Sequence, residues 1–380
     1  MSYSVEKLLI PDWRNVDVGG GKYVHAFIFP ISSQDLLPPG DYCATIEKCA
    51  PAIVRNHSTA SIWVQVDSPG LWYPLEARRA LSRVKNIAVA VTRASSDLRI
   101  SDFSNCMPYL SNSRISSPPF AKNWVSPVKE NPLACLRVLA RLGQGLTKEI
   151  ASLADFCART TQTALNSLEE RKLISHVYPS QKGDAEKLYS KQYPYWILKR
   201  SGLRVALRSW GVAPGVRFSS RLEEQHGEGE GIRHKTASRS WLASLKESYK
   251  GLAEVWAGWT EVSIPEMRLT PDALAWGKME GREILFWCEV ESGHLSTQET
   301  AAKLLRRLRI ASRYANQMEM KLVFGVLTVP AVRDSIPMTF LDIDPNAAVI
   351  LADWGKDGFG KLPLVRWGRV TMERQVEQQV

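Results

Sequence analysis

Three kinds of apolar pattern divide the chain. Residues 1–115 alternate apolar runs ("YVHAFIFPI", "ASIWVQV", "NIAVAVT") with helix-like stretches ("DYCATIEKCAPAIV", "LEARRALSRV"). That alternation predicts a small N-terminal α/β domain. Between 131 and 174 apolar residues recur at helical spacing: Leu133, Cys135, Leu136, Val138 and Leu139, then Ile150, Leu153 and Ala154, then Ala164, Leu165 and Leu168. The region 267–329 reads instead as strands: "DALAW", a Lys-Met-Glu-Gly turn, "EILFWCEVE", and the wholly apolar "KLVFGVLTV", as expected of a strand buried on both faces. A Ser/Pro-dense stretch ending in a linker at 116–130 and the Gly/Glu-rich connector 223–235 separate these parts. The expected domains are 1–115, 131–222 and 236–380. No internal repeat is legible.

The middle pattern is three short helices followed by "RKLISHVY" and a returning strand in "LYSKQYPYWIL", with "KGDAEK" between them as the tip of a wing. Thr147 is expected to cap the second helix, and Thr160 or Thr161 to open the third. "KRSGLRVALRSWGV" predicts a closing helix. The third helix would present Arg159, Thr160, Thr161, Gln162, Thr163 and Asn166 on its first turns and exposed face, and the wing Lys182 and Lys187. These side chains hydrogen-bond base edges and phosphates. Charge agrees. The chain carries +10, and residues 131–220 hold 14 Lys/Arg against 6 Asp/Glu, a local surplus of +8. A concentrated surplus of this kind is the footprint of a phosphate-backbone binder. The segment resembles winged helix-turn-helix domains.

Candidate chemistry lies in the C-terminal part. Alternation along a strand puts Glu289 and Glu291 on one face, and the hairpin brings Asp272 of "PD" towards Glu289. "STQE" is a capping box (Ser296, Glu299) opening the helix "TAAKLLRRLRIASRYA". On that helix Arg306, Arg309 and Arg313 share a face. Pro-Asp, hairpin, glutamate pair, helix and buried strand resemble the PD-(D/E)-x-K nuclease fold. The resemblance implies that Asp272 and Glu289 hold Mg²⁺ or Mn²⁺. Position 291, where the fold carries lysine, is Glu; Lys303 on the following helix is the residue expected to reach back. Taken with the winged helix, residues 131–330 resemble the replication-relaxation family of plasmids and other mobile elements. The matching pieces are "RHKTASRSWLASLKE", Pro271-Asp272, Glu289, Glu291, Lys303 and Tyr314.

The resulting fold class is a multidomain α/β chain: an N-terminal α/β domain, a winged helix, and a restriction-endonuclease-like domain. The expected function is double-stranded DNA binding for a mobile element, in replication, transfer or DNA processing, with Arg306 and Arg307 contacting phosphates beside the carboxylates. Two alternatives stay open: a Mg²⁺-dependent endonuclease or nickase, with Asp272, Glu289, Glu291 and Lys303 catalytic, and an assembly factor recruiting a protein partner through residues 1–115. Binding without cutting, and hence no resident metal, is the leading reading. A homodimer is a further expectation. Hydrophobic content of 44% and charged content of 23%, with no long apolar run, predict a globular protein that does not span membranes. Six cysteines without metal spacing predict reduced thiols in the cytoplasm.

Overall fold

The computed structural model describes residues 3–4, 12–32, 60–67, 88–93, 125–177, 195–209, 231–260, 269–291, 296–328, 343–353 and 361–372. The chain divides into two compact units, Met1–Leu133 with Arg200–Ser220, and Ala134–Lys199 with Arg221–Val380.

In the first unit β1 (Tyr3–Ser4) precedes a hairpin of β2 (Asp12–Gly19) and β3 (Lys22–Ser32). Gly20 and Gly21 close that hairpin at φ 62° and 71°. β4 (Ala60–Asp67) runs parallel to β3, and β5 (Ala88–Arg93) parallel to β4. The helix-like stretches at 41–54 and 75–84 lie outside the described residues. The end of the expected linker is structured: β6 (Val125–Ser126) pairs antiparallel with β1. The closing helix of the winged segment, α4 (Arg200–Ser209), also belongs to this unit.

The second unit opens with a winged helix. Its elements are α1 (Glu130–Leu142), β7 (Gln144–Leu146), α2 (Thr147–Ala154), α3 (Ala158–Glu170), β8 (Ile174–Val177) and β9 (Tyr195–Leu198). The strands form a small antiparallel sheet in the order β7-β9-β8. Leu136, Leu139, Ile150, Leu165, Leu168 and Ile174 are fully buried where the three helices meet that sheet. Each such side chain contributes about 1.5–3 kcal/mol on leaving water. Thr147 does not cap α2. The N-cap position is Leu146, and the Glu149 carboxylate accepts from its backbone N–H at 2.9 Å. α3 begins at Ala158, two residues before the expected start, and positive φ at Asp155 makes the preceding turn.

The C-terminal core follows. α5 (Gly231–Ser248) starts inside the expected 223–235 connector. Then come β10 (Ala253–Thr260), β11 (Ala273–Met279), β12 (Arg282–Glu291), α6 (Thr297–Gln317), β13 (Lys321–Thr328), β14 (Ala347–Asp353) and β15 (Val370–Met372). They build one six-stranded sheet in chain order, antiparallel through β12 and parallel beyond. The hairpin turn is shorter than expected. Lys278 and Met279 stay in β11, and Glu280-Gly281 alone turn the chain at φ 51° and 77°, the geometry of a type I′ turn. The central strands β12 and β13 are buried almost throughout, which is why they read as unbroken apolar runs. Gly325 on β13 lets Trp241 of α5 lie against the sheet, since a Cβ there would meet the indole at 2.7 Å.

Candidate functional site

Asp272 sits one residue before β11, and its N–H extends the ladder by donating to the Cys288 carbonyl at 3.1 Å. That places it beside Glu289 on the neighbouring strand. Val290 N–H donates to Asp272 Oδ2 at 2.7 Å, and His234 of α5 lies 3.4 Å from the same oxygen and 3.1 Å from the Val290 carbonyl. Glu289 is fully buried. Its Oε1 accepts from Trp287 Nε1 at 2.8 Å and from Arg307 Nη1 at 3.0 Å. Arg307 also donates to the Thr270 carbonyl at 3.2 Å. Glu291, likewise buried, accepts from Lys303 Nζ at 2.6 Å. The Ser296–Glu299 capping box sets the start of α6, and with it the phase that turns Lys303 and Arg307 one turn apart towards β12.

The four residues expected to carry chemistry, Asp272, Glu289, Glu291 and Lys303, are therefore neighbours. Lys303 reaches back from the helix, and the extra glutamate at 291 is the group it holds. Arg307 needs correcting: it is tied to Glu289 and the Thr270 carbonyl and is largely covered, so it neutralises the site instead of facing phosphates. Arg306, Arg309 and Arg313 are the exposed cations of α6. Tyr314 is buried in the core.

Burial pushes Glu289 up to about 8, reinforced by the Asp272 charge and opposed by Arg307, by the Trp287 hydrogen bond and by Lys303. Burial raises Asp272 as well, against His234, the Val290 N–H, Arg307 and Lys303. Three carboxylates thus gather beside Lys303, Arg307 and His234, and burial is the main cause that favours a proton on Glu289. Among the described residues no group of three or more His, Cys, Asp or Glu converges to hold a metal ion. Mg²⁺ asks for less, since it keeps several waters and binds through one or two carboxylates. Asp272 and Glu289, hard oxygen donors on adjacent strands, fit that requirement.

No family model matches the chain, and no curated protein does. Among solved structures, a mutant of MepR from a multidrug-resistant S. aureus clinical isolate is similar over 31% of this chain and 80% of its own, at 19% identity and TM-score 0.20. NMB1585, a MarR family regulator from Neisseria meningitidis, is similar over 33% and 80%, at 20% identity and TM-score 0.19. The restriction endonuclease FokI bound to DNA is similar over 74% of this chain and 48% of its own, at 9% identity and TM-score 0.19.

On the winged helix, Arg159, Gln162, Thr163 and Asn166 are exposed on α3, and Thr160 is half-buried. Thr161 is a correction. It is buried, and its hydroxyl donates to the Cys157 carbonyl at 3.1 Å, so it belongs to the core face with Ala164, Leu165 and Leu168. Lys182 and Lys187 lie outside the described residues. A relay of hydrogen bonds fixes the polar face: Trp196 Nε1 to Thr147 Oγ1 (2.9 Å), Thr147 Oγ1 to Gln162 Oε1 (3.2 Å), and Gln162 Nε2 to Asn166 Oδ1 (2.8 Å).

Sequence reasoning missed a buried joint between the winged helix and α5. Glu149 and Arg239 are both fully buried, with Arg239 Nε 3.5 Å from Glu149 Oε2. Ser240 Oγ donates to Glu149 Oε1 at 3.1 Å. Arg239 also donates to Thr236 Oγ1 at 2.8 Å and lies over the Tyr195 ring. Around this centre Ser152 bonds Glu247, and Lys246 pairs with Asp155. The signal was the small-residue run "TASRS" in α5: side chains that short let another helix approach closely, and an arginine among them must find a partner.

Proposed function

We propose that the chain is a double-stranded DNA-binding protein that reads its site with α3 and serves a plasmid or other mobile element in replication, transfer or DNA processing. The observation that carries DNA binding is the two-faced α3: an apolar and Thr161 face sealed in the winged helix, and an exposed face of Arg159, Gln162, Thr163 and Asn166. The +8 surplus over residues 131–220 supports it. The mobile-element assignment is supported by the resemblance to the replication-relaxation family.

Duplex binding is expected to be strongly salt-dependent. If about 4–6 phosphates are neutralised, log K falls against log[salt] with slope of roughly −4 to −5. A flat salt titration of the full chain sinks the proposal. Site preference is a separate measurement. Gln162→Ala or Asn166→Ala is expected to cost about 1–3 kcal/mol of discrimination between sites. The 2.8 Å bond between the two side chains makes the losses non-additive, so the double variant falls short of their sum. Arg159→Ala should weaken all sequences about equally. Unchanged preference in both Ala variants removes the reading role from α3.

A second reading, Mg²⁺-dependent cleavage, is favoured by the convergence of Asp272, Glu289, Glu291 and Lys303. Bound there, a divalent cation would supply Lewis-acid activation of the phosphodiester and of the attacking water. The protein's part is to present Asp272 and Glu289 as cation ligands, with Asp272 oriented by the Val290 N–H and His234 beside it. Lys303 restrains Glu291 and keeps a positive charge where a phosphate would approach. Nicking of supercoiled plasmid in Mn²⁺, lost in Asp272→Asn and Lys303→Ala, is the expected result under this reading. An intact plasmid leaves the DNA-binding function alone.

A further inference from the structure

Two stretches of the chain trace the same path. In the first unit the antiparallel hairpin β2–β3 is followed by β4 and β5, each parallel to its neighbour in the order β2-β3-β4-β5. In the C-terminal core the hairpin β11–β12 is followed by β13 and β14 with the same senses and order. Spacing agrees as well. The first set begins at Asp12, Lys22, Ala60 and Ala88, the second at Ala273, Arg282, Lys321 and Ala347. A Pro-Asp pair opens each hairpin, Pro11-Asp12 and Pro271-Asp272, and a two-residue turn at positive φ closes each, Gly20-Gly21 and Glu280-Gly281. Aligned on those turns without a gap, Gly21 meets Gly281, Lys22 meets Arg282 and Ser32 meets Ser292. One connectivity at one spacing, opened by one dipeptide, marks a repeated unit. The sequence hides it because most strand residues differ.

The copies part at the chemistry. Phe29 and Ile31 stand where β12 carries Glu289 and Glu291. No carboxylate occurs anywhere in "FIFPIS" (27–32), so a one-residue change of register alters nothing. Pro30 takes the place of Val290, whose N–H holds Asp272. Proline has no N–H, so that bond has no counterpart for Asp12.

We infer that the strands β2–β5 are a second copy of β11–β14 that has lost the glutamate pair, leaving one cation centre per chain, at Asp272 and Glu289. This rests on the cleavage reading. A single centre adds one water across one P–O bond, giving a phosphate monoester and a hydroxyl, so one chain opens one strand of a duplex at a time.

The test uses the full chain at pH 8.5 with Mn²⁺ as probe. Titration calorimetry should count one ion per chain in the wild type and in Asp12→Asn, and none in Asp272→Asn. Supercoiled plasmid should pass to open circle before any linear form, equally in wild type and Asp12→Asn. Two ions per chain, or an ion lost in Asp12→Asn, overturns the inference. No ion in the wild type overturns the cation reading and the single centre with it. Hydrogen exchange judges the duplication itself, without metal. Amides of β3 and β4 should exchange as slowly as those of β12 and β13. Exchange within seconds across 24–31 and 61–66 overturns the repeat.

Discussion

Arg239→Ala is expected to lower the unfolding free energy of the second unit by about 3–5 kcal/mol, the usual cost of stranding one member of a buried ion pair. Glu149 would keep the Ser240 hydroxyl and the Leu146 N–H, but its charge would stay fully buried without a cation. For a unit of this size the loss corresponds to roughly 6–20 °C in melting temperature, at about 2–4 °C per kcal/mol. Glu149→Ala strands the arginine and removes the bond at the start of α2, so a loss of the same order is expected. Pairing Glu149→Leu with Arg239→Met should recover most of it, because well-packed apolar groups often replace a buried pair without penalty. Urea unfolding of the four proteins decides the matter. If Arg239→Ala costs less than about 1 kcal/mol, the scale of an exposed pair, the joint is solvated and the winged helix is held to α5 by other contacts.

That joint also marks the limit of what sequence shows. Local patterns are legible: the apolar stripes of α1 and α3, the capping box at Ser296, the wholly apolar β13, and the strand that places Glu289 and Glu291 on one face. Each depends on residues a few positions apart. The meeting of Asp272, Glu289, Glu291 and Lys303 is legible because a hairpin and the next helix fix it within a short span. Errors arise where a distant partner decides. Thr147 has the look of a cap, yet its hydroxyl serves Trp196 and Gln162. Thr161 has the chemistry of a reading face, yet one residue's rotation around α3 turns it inward. Arg307 has the chemistry of a phosphate contact, yet Glu289 and the Thr270 carbonyl claim it. Glu149 and Arg239 are 90 residues apart, and nothing local pairs them.

The largest pH effect is expected at Glu289. Its folded-state value of about 8 stands above the ordinary 4.5, chiefly through burial and then through the Asp272 charge. Between those limits the folded chain keeps a proton that the unfolded chain releases, so stability falls as pH rises through the window. The contribution is fully present below about 4.5 and gone above about 8. Its size is on the order of a few kcal/mol. Gln at 289 keeps an oxygen for Trp287 and Arg307 but removes the titration, so Glu289→Gln should melt above the wild type at pH 8.5 by several degrees and lose this slope. A divalent cation competes with the same proton. Mg²⁺ or Mn²⁺ should therefore raise the wild-type melting temperature more at pH 8.5 than at pH 6, since metal must displace the proton that Glu289 still holds at the lower pH. At a hundredfold excess over Kd the gain is about 2.7 kcal/mol. Asp272→Asn and Glu289→Gln should not respond to metal. If metal leaves the wild type unmoved at pH 8.5 while Glu289→Gln stabilises it, the proton, Lys303 and Arg307 balance the carboxylates alone. The site is then held closed by Lys303 and Arg307, and DNA binding through α3 is the chain's activity.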